Sequence, residues 1–296
     1  MSLLAILFPD FALIASGVLL RRFTGWGDSF WGGLEKLVYF MLFPALLFRT
    51  TARTAFAFDT TGPLLQVTLA ALACGIALGW LAKWVLRPDR VLFASGVQTA
   101  FRFNTYICLA LASRIGGDQG ASAMALLVGF GVPLCNIFAV YALAHRAGGL
   151  LRELARNPLL LAATAGTLWN VAGLGLPEVA DAVLARLASA SLALGLLAVG
   201  AGLRLGGSGE APALSIWFVA VKLVAMPALA FTFGHAMGLS PLHLQIAVLF
   251  CAVPTASSAY VLAARMGGNG PYVAMLVSVG IVASAITLPF WLSLVH

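Results

Sequence analysis

The chain has 296 residues, 61% of them apolar and only 9% charged, with a formal net charge of +7. An ordinary soluble domain is roughly 25% charged, so 17 basic and 10 acidic side chains cannot cover a soluble surface of this size, and most of the exterior must face lipid. The cations are scattered between hydrophobic runs and collect in no basic arm, which excludes nucleic acid as a partner and makes the charge a topological signal.

Ten apolar segments follow one another: 3–20, 34–48, 64–85, 91–112, 121–144, 158–176, 183–203, 214–237, 242–264 and 272–295. Each is close to the roughly 20 residues that a spanning helix needs. The second is too short unless it starts before Glu35 or continues through Arg49. Gly, Pro and charged residues punctuate the runs, and the short alternating strands of a barrel are absent. The start MSLLAILFPDFALIASGVLLRR lacks a basic leader and reads as a first span, not as a cleaved signal. Cys74, Cys108, Cys135 and Cys251 lie inside apolar runs without metal-ligand spacing and read as small buried hydrophobes.

Alternate loops divide the cations ten to four. Arg21, Arg22, Lys83, Arg87, Arg90, Arg146, Arg152, Arg156, Arg204 and Arg265 fall on one side, and Arg49, Arg53, Arg114 and Arg186 on the other. The positive-inside rule then places both termini outside the cytoplasm.

The sequence repeats once, at an offset of 151. LALASRIGGDQGASAMALLVG from Leu109 aligns with YVLAARMGGNGPYVAMLVSVG from Tyr260, with identities at Arg114/Arg265, Gly116/Gly267, Gly117/Gly268 and Met124/Met275. Residues 1–146 form the first five-segment half, 147–157 a cytoplasmic connector and 158–296 the second half. An odd number of spans per half makes the second half enter the membrane upside down. The expected fold is therefore all-α and polytopic, with ten transmembrane helices as two inverted five-helix repeats, an architecture many secondary transporters use.

Segments four and nine have the most polar interiors. At the 151 offset Asn104 aligns with Thr255, and Phe103 with Pro254. Pro254 should break segment nine, freeing backbone groups that only protein or a water-filled cavity can receive at membrane depth. Asn104, Thr105, Thr255, Ser257 and Ser258 supply polar side chains there, either as a substrate site or as helix–helix glue. Asn104 is expected to serve a hydrated site, so its truncation should spare stability. Asn136, after Pro133, could line the same cavity.

Arg102 lies mid-segment, where an arginine costs roughly 2.5–3.5 kcal/mol on the insertion scale, and no acid shares its segment. Lys222, in IWFVAVKLVAMPAL, is placed similarly and reads equally as an anion-binding charge or as a structural lysine. Asp10 and Glu35 fall near segment ends and read as structural. Two deep cations without deep acids imply an anionic partner. No HExxH, Walker A, GxSxG or CxxC pattern occurs, so no enzyme, cofactor or bound metal is expected.

FPDFALIASGVLLRR, FWGGLEKLVYFMLFPALLF, QTAFRFNTYICLAL, NPLLLA and VPTASSAYVLAARMGG together resemble the bacterial auxin efflux carrier family. That family includes malonate- and malate-type permeases and is related to the plant PIN-FORMED exporters and the bile-acid sodium symporter fold. The resemblance implies a multi-pass protein of the bacterial inner membrane in which broken helices four and nine cross. Helices one, two, six and seven would form a scaffold, and a homodimer interface if the chain pairs; the other helices would move. It puts the crossover asparagine on Asn104 and the crossover proline on Pro254. Phe103 in place of a proline and a central loop of about a dozen residues depart from the plant exporters. The expected substrate is a small organic anion, a dicarboxylate such as malonate or malate, or an auxin-like acid, moved by alternating access. A sensor or channel on the same fold is the rival. Coupling stays open between Na⁺ near Thr255 and Ser258, H⁺ through Lys222, and uniport.

Overall fold

A computed structural model describes residues 3–53, 58–143, 158–202, 211–256 and 258–295. The connector 147–157 and Ser257 lie outside the described residues, as do Arg146, Arg152, Arg156 and Arg204. Among the described residues the chain is all helix, without a strand.

The first half consists of α1 (Leu3–Phe23), α2 (Asp28–Arg53, with a π turn at Val38–Leu42), α3 (Phe58–Val85), α4 (Arg90–Gly96, prolonged by the 3₁₀ turn Val97–Ala100) and α5 (Thr105–Leu143). Gly117 breaks α5 into two arms, with φ 55° and ψ −140° that only glycine adopts without strain. The second half consists of α6 (Pro158–Val171), α7 (Glu178–Ala201), α8 (Pro212–Ala236, with a π turn at Val221–Ala225), α9 (Pro241–Ala252), α10 (Ser258–Arg265) and α11 (Gly270–Ser293).

The helix starts are written in the sequence. The side chains of Asp89, Ser240 and Asn269 accept from first-turn amides of α4, α9 and α11, and Pro opens α8, α9 and α11 where its missing N–H costs nothing.

Among the described residues six helical stretches are long and apolar enough to cross a membrane: Asp28–Arg53, Thr61–Val85, Gln119–Leu143, Glu178–Ala198, Pro212–Ala236 and Gly270–Ser293. The first resolves the short second segment, because the helix extends beyond 34–48 in both directions. Its opening DSFWGGLEKL is too polar for hydropathy alone to include.

A shift of 151 residues brings two pairs of helix starts into register. Arg90, which opens α4, falls on Pro241, which opens α9; Gln119, which opens the second arm of α5, falls on Gly270, which opens α11.

The helices pack in two groups. In one, α1 lies on α7, and α2 lies on α6 and α7. A Cβ at Gly17 would run into the Leu197 carbonyl and one at Gly200 into the Ile14 carbonyl, so α1 and α7 touch backbone to backbone, the small-residue contact on which helices associate in lipid. Arg49 and Arg53 both pair with Asp181, each at 2.8 Å, and fasten the end of α2 to the start of α7. In the other group, α3, α4, α5, α8, α9 and α11 enclose a core with Leu72, Phe101, Met124, Phe218 and Phe250 fully buried. Two indole N–H groups reach backbone across helices: Trp217 donates to the Leu78 carbonyl and Trp291 to the Leu223 carbonyl, both at 2.9 Å.

Candidate functional site

Two chain breaks meet inside the second group. The first, residues 101–104, separates α4 from α5; the second, around Pro254, separates α9 from α10. Breaking a helix in an apolar interior strands amides and carbonyls, and here each break supplies the other. The Asn104 amide donates to the Pro254 carbonyl at 2.8 Å. The Thr255 hydroxyl donates to the Thr99 carbonyl at 2.6 Å, and Gln98 Nε2 donates to the Ala259 carbonyl at 3.2 Å.

The break in segment four needs no proline. The Gln98 carbonyl accepts from both Phe101 N (3.3 Å) and Arg102 N (2.9 Å) and ends the helical ladder. Asn104 Oδ1 then accepts from Tyr106 N (3.0 Å) and Ile107 N (3.3 Å) and starts a new one. Phe103, where the plant exporters have proline, packs its ring on Phe250 at 4.1 Å between centroids.

This geometry corrects the expectation for Asn104. Its side chain is 0% exposed and serves as the N-cap of α5, so truncation removes a structural bond as well as a polar group. Its Nδ2 is buried without a hydrogen-bond acceptor among the described residues. Such an orphan donor costs about 1–3 kcal/mol, a cost that an incoming acceptor would remove.

Arg102 is half-buried beside it. Nη1 lies 3.4 Å from Gln98 Oε1 and Nη2 3.4 Å from Ser258 Oγ, both at the long end of hydrogen bonding. Among the described residues no carboxylate forms an ion pair with it. Thr105, 8% exposed, opens α5, and Ser258 opens α10. The structure therefore brings Arg102, Asn104, Thr105, Pro254, Thr255 and Ser258 to one place.

Lys222 and Asn136 are positioned differently. Lys222 is 2% exposed, and its Nζ donates to the Cys251 carbonyl at 2.8 Å. It thus sits at the C-terminal end of α9, where a cation is favoured by the helix dipole. Asn136 is buried on the second arm of α5, next in sequence to Cys135, whose Sγ lies 3.6 Å from the Phe101 carbonyl.

Sequence reasoning passed over several neighbours. Gln98 is fully buried and bridges the two breaks. Tyr106 stacks on Phe43 of α2, 3.6 Å between centroids, and its ring fills the space a side chain at Gly195 of α7 would need. The Tyr260 hydroxyl donates to the Glu35 carboxylate. A polar residue inside an apolar run was the available signal for Gln98; for the Tyr260–Glu35 bond, which joins positions 225 residues apart, the sequence offers none.

The chemistry on offer is anion recognition. A guanidinium without an acid partner and an amide N–H without an acceptor stand where two helices begin, and helix starts carry partial positive charge. Among the described residues no group of three His, Cys, Asp or Glu side chains could hold a metal ion. A separate apolar groove of about 260 Å³ between α8 and α11, lined by Ile216, Val224, Val279 and Thr287, touches none of these residues.

The family described as "Membrane transport protein" matches residues 142–292, half of the chain. A protein of Rhizobium meliloti (strain 1021) named "Putative malonate transporter" is 26% identical over 277 residues, covering 88% of this chain and 86% of that protein.

Proposed function

The chain belongs to the auxin efflux carrier family of membrane transport proteins, and from that premise we propose that it is a secondary carrier of a small organic dianion, with malonate-type dicarboxylates as the first substrates to try. One observation carries the reading. Arg102 holds a guanidinium deep in a helical bundle, at a cost of about 2.5–3.5 kcal/mol, with two 3.4 Å polar contacts and no ion pair to a carboxylate among the described residues. A carboxylate ligand would accept from Arg102 as a planar fork, and its second oxygen or second carboxylate could take the donor that Asn104 Nδ2 leaves open.

In this reading the two halves are inverted five-helix repeats, ten spans in all, with both termini extracytoplasmic in the bacterial inner membrane. The group of α1, α2, α6 and α7 acts as the scaffold and the face on which two copies could pair. The remaining helices carry the site past it in alternating access. The helix starts that coincide at the 151 offset, and the packing of α1 on α7 and of α2 on α6 and α7, support this. The malonate class is taken from the name of the Rhizobium relative. Uptake of a radiolabelled panel of mono- and dicarboxylates into proteoliposomes tests the proposal. Saturable uptake of a dicarboxylate supports a carrier; flux that rises linearly with concentration supports a channel.

A further inference from the structure

Glu35 lies seven residues into α2, about 10 Å along the helix, and is half-buried. Its carboxylate oxygens are 3.3 and 3.2 Å from the Tyr260 hydroxyl, which donates to them. Among the described residues neither lysine nor arginine forms an ion pair with it. Tyr260 sits on the first turn of α10, two residues after Ser258, whose hydroxyl accepts from Arg102. One turn of α10 thus touches the proposed anion site and an acid on α2.

The surroundings of Glu35 hold few other charges. From α10 comes Tyr260, and from the first arm of α5 comes Tyr106, stacked on Phe43 of α2. From α1 comes Arg21, within electrostatic range but bonded to Asp28. On α2 itself stand Lys36, exposed, and Tyr39. The face of α6 brings no titratable residue among the described ones. The titratable residues of α7, Glu178, Asp181 and Arg186, lie toward the end where Asp181 meets Arg49 and Arg53.

We propose that Glu35 is a proton-binding site that governs carrier movement: as a carboxylate it holds α10 to α2 through Tyr260, and on protonation it releases α10. The proposal rests on the carrier reading above and assigns H⁺ to a residue other than Lys222. An O–H donated to a carboxylate is charge-assisted and roughly twice as strong as one donated to a neutral acid. Sliding α10 away from the charged form would also leave a half-buried carboxylate without its hydrogen-bond donor, a cost that is smaller for the protonated form. The proton comes from bulk water and returns to it.

Two measurements on the reconstituted full chain decide the matter. Exchange of labelled malonate with equal pH on both sides should quicken by about fivefold as pH falls from roughly 8 to 5.5. Glu35→Gln should exchange at the fast rate throughout that range, and Tyr260→Phe should do the same with the acid intact. Changes in the malonate itself are common to all three proteins and cancel in the comparison. Infrared difference spectra of the purified protein on acidification should show a protonated-carboxyl band that Glu35→Gln lacks, and this readout needs no transport. Absence of any anion exchange would remove the carrier reading while the infrared band still reports on Glu35. A Glu35→Gln pH profile like that of the wild type, or an undiminished band, overturns the proposal.

Discussion

Asn104 does two separable things, and a pair of substitutions tells them apart. Its Oδ1 caps α5 through Tyr106 N and Ile107 N, while its Nδ2 is buried without an acceptor. Serine ranks with asparagine as an N-cap, so Asn104→Ser keeps the cap and removes the donor. Stability should then stay within a few tenths of a kcal/mol of the wild type, or rise slightly, because an orphan donor has gone. Asn104→Ala loses the cap as well and should cost about 1 kcal/mol. If Nδ2 donates to a carboxylate ligand, a charge-assisted bond of about 1.5–3 kcal/mol disappears in both variants, which is roughly a ten- to hundredfold loss of affinity. Thermal unfolding in detergent and equilibrium binding of labelled malonate to the same preparations give both quantities. Wild-type affinity in Asn104→Ser would show that the donor never meets the ligand.

Arg102→Ala should lower anion affinity by at least about tenfold, or 1.4 kcal/mol, with little change in melting temperature, and Arg102→Lys should restore part of it without the fork; a destabilised protein of unchanged affinity would make Arg102 a brace. Lys222→Met should strand the Cys251 carbonyl and cost about 1–3 kcal/mol of stability while the folded protein binds malonate normally; the reverse pattern would make Lys222 a substrate charge. Alkaline phosphatase fused after His296 should be active, and an inactive fusion beside an active cytoplasmic reporter would invert the topology.

The sequence is a good guide where the physics is local. Pro254 breaks segment nine where a missing donor and a ring clash require it, and at the offset of the Arg-x-Gly-Gly pair the helix starts at Arg90 and Pro241, and at Gln119 and Gly270, coincide. It is a poor guide where bonds join distant elements. Nothing near Lys222 reveals that it reaches Cys251, 29 residues away, and nothing near Gln98 reveals Ala259, 161 residues away. Asn104 was legible as a polar residue at a break, but not as a cap, because the break in segment four has no proline to mark where the next helix begins. Glu35 reads as a residue at a segment end because the amphipathic opening of α2 lowers the hydropathy there. A helix starting at residue 34 leaves Glu35 at the water's edge, whereas the actual start at Asp28 puts it two turns inside.

Counterflow is the most direct measurement of the central claim, that Arg102 and the crossed breaks carry a carboxylate from one face to the other. Proteoliposomes preloaded with unlabelled malonate and diluted into a trace of labelled malonate should accumulate label transiently above its outside concentration, and Arg102→Ala liposomes should not. Label that only equilibrates, at a rate indifferent to preloading, would contradict alternating access; overshoot that survives in Arg102→Ala would move the binding site elsewhere.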